Sequence, residues 1–194
     1  MICVNQYRTH LCGEVSEQDI GSEVRVAGWV ENIRDHGGVK FLDLRDHYGV
    51  VQIVVYDNNL LDNVTKECTI TATGTVVLRD EDTVNPKINT GTVEVKVSAL
   101  TVLGKTLTGL PFEVDLSKET KEDVRLKYRF LDLRNPKVHQ NIVLRSQLIS
   151  FLRSKMTEMG FLEIQTPILS ASSPEGARDY LIPSRRHAGK FYAL

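Results

Sequence analysis

The residues best suited to chemistry lie on two neighbouring stretches that read as β-strands. Because side chains alternate along a strand, Leu42 and Leu44 share one face while Phe41 points to the other, among charged neighbours. On the next strand, Gln52 points away from a face of valine and isoleucine. A flat ring offers a surface on which an unpaired base can stack, and an amide both donates and accepts hydrogen bonds. The sequence therefore predicts a single-stranded nucleic-acid site on this surface.

Each of the two side chains also has a plainer interpretation. Aromatic residues are often partly exposed on strands, so Phe41 alone is as readily a packing residue as a stacking one. An exposed glutamine on a strand is usually only solvated, so Gln52 alone does not indicate recognition. The prediction therefore depends on the fold that carries the two strands.

Alternating apolar residues and turn-forming glycines predict that fold. Five strands are predicted, at residues 24–33, 39–46, 50–56, 68–78 and 92–103. One short helix is predicted at 58–67, with Asp57 or Asn58 as its cap. Three strands, a helix and two strands within about 80 residues are the layout of an OB-fold, a five-stranded all-β barrel with one helix. In that fold, strands two and three and the loop between strands four and five, here 79–91, form the usual oligonucleotide face.

Composition indicates a soluble protein with enough apolar material for a core, since the 194 residues are 41% hydrophobic and 25% charged. No apolar run reaches the roughly 20 residues of a membrane span and no signal peptide is evident, so we expect a cytoplasmic protein. Cys3, Cys12 and Cys68 lack CxxC spacing, which favours reduced thiols over disulfides or a zinc site. With 24 basic and 25 acidic side chains, the chain has no bulk attraction for a polyanion.

A second region begins where the composition changes, near residue 105. Residues 119–134 are dense in charge and interleave arginines with aromatic residues, which is typical of a salt-bridged surface or of contact with nucleic acid. Asn135 and Pro136 predict the start of a helix that continues to about Met159. Its predicted apolar stripe comprises Ile142, Leu148 or Ile149, Leu152 and Met156.

Two shorter segments follow this helix. Residues 161–169 predict a strand, and Pro167, which cannot donate to a β-ladder, places that strand at an edge or an interface. Residues 171–179 are small, polar and rich in helix breakers, as expected of a mobile loop that closes over a site. On its own, Glu175 in this loop is an ordinary surface glutamate.

Three stretches, taken together, resemble one family. They are Arg34-Asp35-His36-Gly37-Gly38, residues 125–134 and residues 174–181. In this order and spacing they are similar to the bacterial-type aspartyl-tRNA synthetases of class IIb, and the similarity covers essentially the whole chain. The resemblance implies an OB-fold anticodon-binding domain at 1–105 and a linker and hinge at 106–134. It also implies that 135–194 begin an α+β catalytic domain of antiparallel sheet and helices.

Specific roles follow from this resemblance. It implies that Phe41 stacks on an anticodon base and that Gln52 reads a base edge, with Arg34 and Asn85 as further anticodon contacts. The charged hinge would contact tRNA and dock the two domains. The partners implied are tRNA-Asp and L-aspartate, together with a second copy of the chain in a homodimer.

Two positions bear on the choice of tRNA within the family. A histidine at the position of His36 resembles enzymes that accept both tRNA-Asp and tRNA-Asn, whereas a leucine there resembles the selective ones. Asp82 occupies the second position linked with this choice and is not the small residue expected of the relaxed form. His36 therefore favours relaxed specificity, whereas Asp82 does not. Our hypothesis, based on His36, is relaxed specificity.

The implied reaction is the activation of L-aspartate with ATP and Mg²⁺, followed by transfer of the aspartyl group to tRNA. Glu175 would hold the α-ammonium of the amino acid. Residues 160–169 resemble class II motif 1, which would place Pro167 at the dimer interface. Motifs 2 and 3, which carry the ATP-binding arginines, have no counterpart in the sequence. We therefore predict no catalytic residue and no metal ligand in this chain, and we expect that it does not charge tRNA by itself.

Two alternative functions remain open at this point. One is a non-catalytic OB-fold module that binds tRNA or another single-stranded nucleic acid, which would not need residues 110–194. The other is a sibling synthetase for asparagine or lysine, which shares the fold and motif 1. The run 175–179 favours aspartate.

Overall fold

A computed structural model describes residues 5–106, 109–172 and 179–194. The chain divides into two compact units, Met1–Leu110 and Pro111–Leu194. None of the helices in the described part of the chain combines the length and apolar character needed to cross a lipid bilayer.

The first unit is a closed barrel of five strands. They are β1 (Glu23–His36), β2 (Val39–Arg45), β3 (Val50–Val55), β4 (Thr69–Leu78) and β5 (Val93–Gly104). Around the barrel the order is β1-β2-β3-β5-β4, and all pairs are antiparallel except β3 with β5. This is the predicted OB-fold layout, which is thereby confirmed.

Alternation along the strands fills the barrel with apolar side chains. Leu42 and Leu44 of β2 and Ile53 of β3 are fully buried, together with valines from the other strands. Gly28 lets β1 approach β2 closely, because a Cβ there would lie 2.2 Å from the carbonyl oxygen of Arg45. The register of β1 against β2 shifts nearby, which bends the strand around the barrel.

The helix predicted at 58–67 is shorter than expected. Only Asn58–Leu61 form a 3₁₀ turn, which Asp57 caps by accepting a hydrogen bond from the Asn59 amide. Asn63 and Glu67 have φ angles of 66° and 60°, a left-handed conformation that no right-handed helix can include. The one helix of the barrel is therefore a single turn.

Two of the three cysteines can be described. Cys12 and Cys68 are free and fully buried, as predicted, whereas Cys3 lies outside the described residues. Burial raises the pKa of both thiols, most strongly that of Cys12, where the Asp46 carboxylate adds to the effect. Both cysteines therefore act as small apolar residues of the barrel.

The second unit contains one long helix and several short elements. These are α1 (Glu122–Lys127), α2 (Arg129–Asp132), α3 (Pro136–Glu158), β6 (Leu181–Pro183) and β7 (Phe191–Ala193). Asn135 caps α3 by accepting hydrogen bonds from the amides of Lys137 and Val138. After α3, Gly160 has a φ of 89°. The predicted long helix is thus confirmed at both ends.

The strand predicted at 161–169 is wrong. Residues 161–167 form no regular structure, and only Ser170, just beyond, makes an isolated bridge with Ala193. Apolar alternation suggested a strand, but Leu162 is 82% exposed and no neighbouring strand pairs with this segment among the described residues. Pro167 therefore lies in an irregular, exposed segment.

Candidate nucleic-acid interface

Phe41 lies in β2, between Arg34 of β1 and Val54 of β3. Its neighbour Leu42 is fully buried inside the barrel, so Phe41 lies on the outer surface, where it is half-buried. The Phe41 ring meets the imidazole of His36 edge to face, with the ring centroids 5.6 Å apart. The barrel thus presents a partly supported aromatic ring on its outside, as base stacking requires.

Gln52 lies on β3 directly opposite Asp43 of β2. Unlike an ordinary exposed strand glutamine, it is only 6% exposed. Its Oε1 accepts a hydrogen bond from Arg34 Nη2 at 3.0 Å, and its Nε2 donates to Glu94 Oε2 at 2.8 Å. The plainer interpretation of a solvated glutamine is therefore wrong, because both ends of the amide are held by charged partners.

Arg34 connects this amide to a carboxylate. The same Nη2 atom donates to Asp43 Oδ1 at 2.6 Å, and Asn32 Nδ2 approaches Asp43 Oδ2 at 3.4 Å. The resulting four-strand network runs from Asn32 and Arg34 on β1 through Asp43 on β2 and Gln52 on β3 to Glu94 on β5. It fixes the orientation of the Gln52 amide before any ligand arrives.

Arg79, at the end of β4, is a buried arginine beside this network. Its Nε donates to the Val93 carbonyl at 2.9 Å, while its Nη2 is buried and has no hydrogen-bond partner among the described residues. Burial lowers the pKa of the guanidinium, and the carboxylates of Glu94 and Asp43 act in the opposite direction. An arginine stays charged under these conditions, so Arg79 offers a donor to a ligand that reaches it.

The loop 79–91 contains the other two predicted residues. The Thr90 hydroxyl donates to the Val50 carbonyl at 2.6 Å, which ties the loop to the start of β3. Asn85 is half-buried, and its side chain accepts from the Lys87 amide at 3.1 Å. Asp82 is exposed in a 3₁₀ turn. The contacts described for Asn85 and Asp82 stay within the loop, so the structure does not join them to the network.

The remaining predicted residues lie elsewhere. His36 is exposed at the end of β1, where it pairs with Val39 of β2, and it contacts Phe41. Glu175 falls outside the described residues. In the described ranges, no group of three or more histidine, cysteine, aspartate or glutamate side chains could hold a metal ion.

Four members of the site were not predicted as site residues: Asn32, Asp43, Arg79 and Glu94. Asp43 directly follows Phe41 and Leu42 on β2, so alternation places its side chain on the same outer face as Phe41. Alternation along β5 likewise places Glu94 on the polar face of that strand. The sequence therefore indicated that both side chains point outward. The signal that was missing is the parallel pairing of β3 with β5, which brings Glu94 to Gln52. Such a long-range pairing cannot be read from local periodicity.

The charged residues at 119–134 in the second unit include a buried ion-pair cluster and are not only a solvated surface. Asp132 is fully buried, and Arg125 binds both of its carboxylate oxygens, at 3.0 and 3.3 Å. Arg129 donates to the same carboxylate. Burial alone would raise the pKa of Asp132, but the hydrogen bonds and charges of the arginines outweigh it and lower that pKa.

Family models match both units. Residues 24–103 match an OB-fold nucleic acid binding domain, and residues 121–194 match the class II tRNA synthetases (D, K and N). Among solved structures, asparaginyl-tRNA synthetase from Pyrococcus horikoshii in complex with asparaginyl-adenylate is similar, with a TM-score of 0.78 and 26% identity. That similarity covers 95% of this chain and 42% of the other.

Curated relatives extend the similarity across both units. The chain is 53% identical to an aspartate-tRNA(Asp/Asn) ligase from Rickettsia akari and 51% identical to an aspartate-tRNA ligase from Streptomyces avermitilis, over 98% of its length in each case. It spans about a third of the length of these relatives, 32% and 33%. Over 98% of its length the chain is therefore similar to aspartate-tRNA ligases, and it matches an OB-fold nucleic acid binding domain and the class II tRNA synthetases in its two units.

Proposed function

We propose that this chain supplies anticodon recognition to an aspartate-tRNA ligase that charges tRNA-Asp with L-aspartate. The observation that carries the proposal is the outward ring of Phe41 beside the charge-held amide of Gln52, on a barrel that matches a nucleic acid binding family. In this proposal, residues 1–105 form the anticodon-binding domain, 106–134 the hinge and 135–194 the start of the catalytic domain.

Recognition would combine two interactions. Phe41 stacks on one anticodon base, since every base has a face that an aromatic ring can cover. Gln52 then reads the edge of a base with the amide that Arg34 and Glu94 already orient. A ligand must replace one of these two partners, so recognition by Gln52 is an exchange of hydrogen bonds within a preformed network. Asn85 would contribute a further contact from the loop.

The remainder of the reaction needs groups that we do not assign to this chain. ATP and Mg²⁺ would be used by the complete ligase, but no cluster of ligands among the described residues fits a metal ion. Glu175 would hold the α-ammonium of L-aspartate, and the segment that includes Pro167 would meet a second copy in a homodimer. We place the enzyme in the cytoplasm.

The proposal is tested by binding an anticodon stem-loop of tRNA-Asp to the chain. Phe41→Ala should weaken binding by about 1–3 kcal/mol, because a stacked base loses its platform. Tyr48→Ala is the matched control, since Tyr48 is an exposed aromatic in the β2–β3 turn. An equal loss in both variants, or no binding by the unmodified chain, would refute the proposal.

A relaxed choice of tRNA is the second part of the proposal. It is supported by the edge contact between His36 and Phe41, which places the histidine beside the stacking ring, and by the name of the Rickettsia akari relative. The unmodified chain should bind anticodon stem-loops of tRNA-Asp and tRNA-Asn with similar affinity. His36→Leu should favour the tRNA-Asp stem-loop, and a strong preference already present in the unmodified chain would argue against relaxed specificity.

A further inference from the structure

A carboxylate at the centre of the four-strand network has no role in the proposed recognition. Asp43 accepts from Arg34 Nη2 at 2.6 Å, and its side chain is only 17% exposed, whereas the side chain of Arg34 is 48% exposed. A negative charge on a face that binds RNA repels the phosphate backbone. Its presence there requires a physical reason.

The network and the neighbouring Arg79 together carry balanced charges. Arg34 and Arg79 contribute two positive charges, and Asp43 and Glu94 contribute two negative ones. The chain as a whole has a formal charge of −1. Phosphate attraction, which dominates sequence-independent binding to nucleic acids, is therefore weak at this face. Binding must come mainly from stacking and from base edges.

Asp43 also controls where Arg34 points. The Arg34 side chain is 48% exposed, and one of its terminal nitrogens is shared between Asp43 Oδ1 and Gln52 Oε1. A long, half-exposed arginine without a carboxylate partner is free to turn towards solvent or phosphate. With Asp43 present, the guanidinium stays against the amide, and Gln52 Nε2 stays directed at Glu94.

We propose that Asp43 is a positioning residue that makes this face selective. It holds Arg34 on Gln52 and keeps the arginine charge from general phosphate binding, so that a nucleotide is chosen by its base edge. This inference rests on the proposed anticodon function and adds a determinant of its selectivity.

The test compares two RNA ligands, the anticodon stem-loop of tRNA-Asp and a stem-loop of the same length with a scrambled loop. Asp43→Asn should raise affinity for the scrambled loop by about fivefold at low salt, because one positive charge becomes available to phosphate. Affinity for the anticodon loop should change less, so selectivity falls. The dependence of log Kd on log salt concentration should become steeper by about 0.7.

Two further variants separate positioning from net charge. Glu23→Gln removes the same charge at the exposed start of β1 and should leave selectivity unchanged. Arg34→Gln breaks the pair from the other side, so it should also reduce selectivity but without the gain for the scrambled loop. In the Arg34→Gln background, Asp43→Asn should have no further effect on selectivity. Fluorescence of Trp29, the single tryptophan, checks that each barrel is folded.

The outcomes distinguish this inference from the proposed function. If Asp43→Asn behaves like Glu23→Gln, or weakens both RNAs equally, Asp43 does not position Arg34 and the inference is wrong while anticodon binding stands. If the unmodified chain fails to prefer the anticodon loop, or Phe41→Ala has no effect, the proposed function is wrong and the inference goes with it. Additive effects of Asp43→Asn and Arg34→Gln on selectivity would also overturn the inference.

Discussion

The barrel and α3 bury their apolar residues to very different extents. Leu42, Leu44 and Ile53 are fully removed from solvent by the five strands. On α3, the predicted apolar stripe is exposed; its members Ile142, Leu148, Ile149, Leu152 and Met156 are between 39% and 54% accessible. In both regions the apolar residues have the spacing expected of their element. Whether its apolar face is covered depends on what packs against it.

A leucine-to-alanine substitution in each region should give the largest difference in the free energy of unfolding. Leu42→Ala should lower the free energy of unfolding by about 2–5 kcal/mol, because it removes buried methyl groups and leaves a cavity. Leu148→Ala should change stability by less than about 0.5 kcal/mol, since Leu148 is 54% exposed and both residues favour helices. Urea unfolding followed by Trp29 fluorescence for the barrel and by circular dichroism at 222 nm for α3 measures both.

A large loss of stability in Leu148→Ala would contradict the difference between the buried barrel and the exposed α3. It would mean that another surface covers α3 in solution, and a second copy of the chain is the partner that our proposal names. In that case the loss should grow with protein concentration, because the substitution would weaken association as well as folding.

The barrel is the part of the fold that the sequence predicts well. Each strand has one face in the core, so apolar residues recur every second position and the bounds follow from the turns, as at Gly37 and Gly38. The direction of the Phe41 side chain follows from the same alternation. The capped start of α3 at Asn135 is equally local, because the side chain bonds amides two and three residues ahead.

Features that depend on distant partners were predicted poorly. The burial of Gln52 requires Glu94, which is 42 residues away in the sequence and arrives only through the parallel β3–β5 pair. The strand predicted at 161–169 has the right side chains but no neighbouring strand among the described residues. Local periodicity reports which face of a segment is apolar and does not report what that face meets.

The buried carboxylate of Asp132 stabilises the second unit, and its removal should have an intermediate effect on the free energy of unfolding. Asp132→Asn should destabilise α1 and α2 by about 1.5–3 kcal/mol at neutral pH, because the hydrogen bonds from Arg125 and Arg129 to a charged group are lost or weakened. Glu158→Gln, which breaks an exposed pair with Lys155, is the control and should cost less than about 0.5 kcal/mol. Circular dichroism at 222 nm during urea unfolding measures both variants.

The effect of Asp132→Asn should depend on pH in one direction. The pKa of Asp132 is lower in the folded chain than its ordinary value of 3.8, so its charge stabilises the fold above that value. As the pH falls through the folded pKa, the carboxyl becomes protonated and the stabilisation is lost. The difference between unmodified chain and variant should therefore be full at pH 7 and shrink below about pH 4. A difference that stays constant down to pH 2 would show that the charge of Asp132 does not matter.

The smallest effect concerns Asn135, which does two things with one side chain. Its Oδ1 caps α3, and its Nδ2 donates to the carbonyls of Val114 and Asp115 at 3.0 Å each. Asn135→Ser keeps a cap acceptor but loses the donors, so it should cost about 1 kcal/mol. Asn135→Ala loses the cap as well and should cost about 1 kcal/mol more. Unfolding followed at 222 nm measures the loss of stability in both variants. If the two losses are equal, the whole effect comes from the hydrogen bonds of Nδ2 to the carbonyls of Val114 and Asp115. The contact with 114–115, and not the cap, would then stabilise α3.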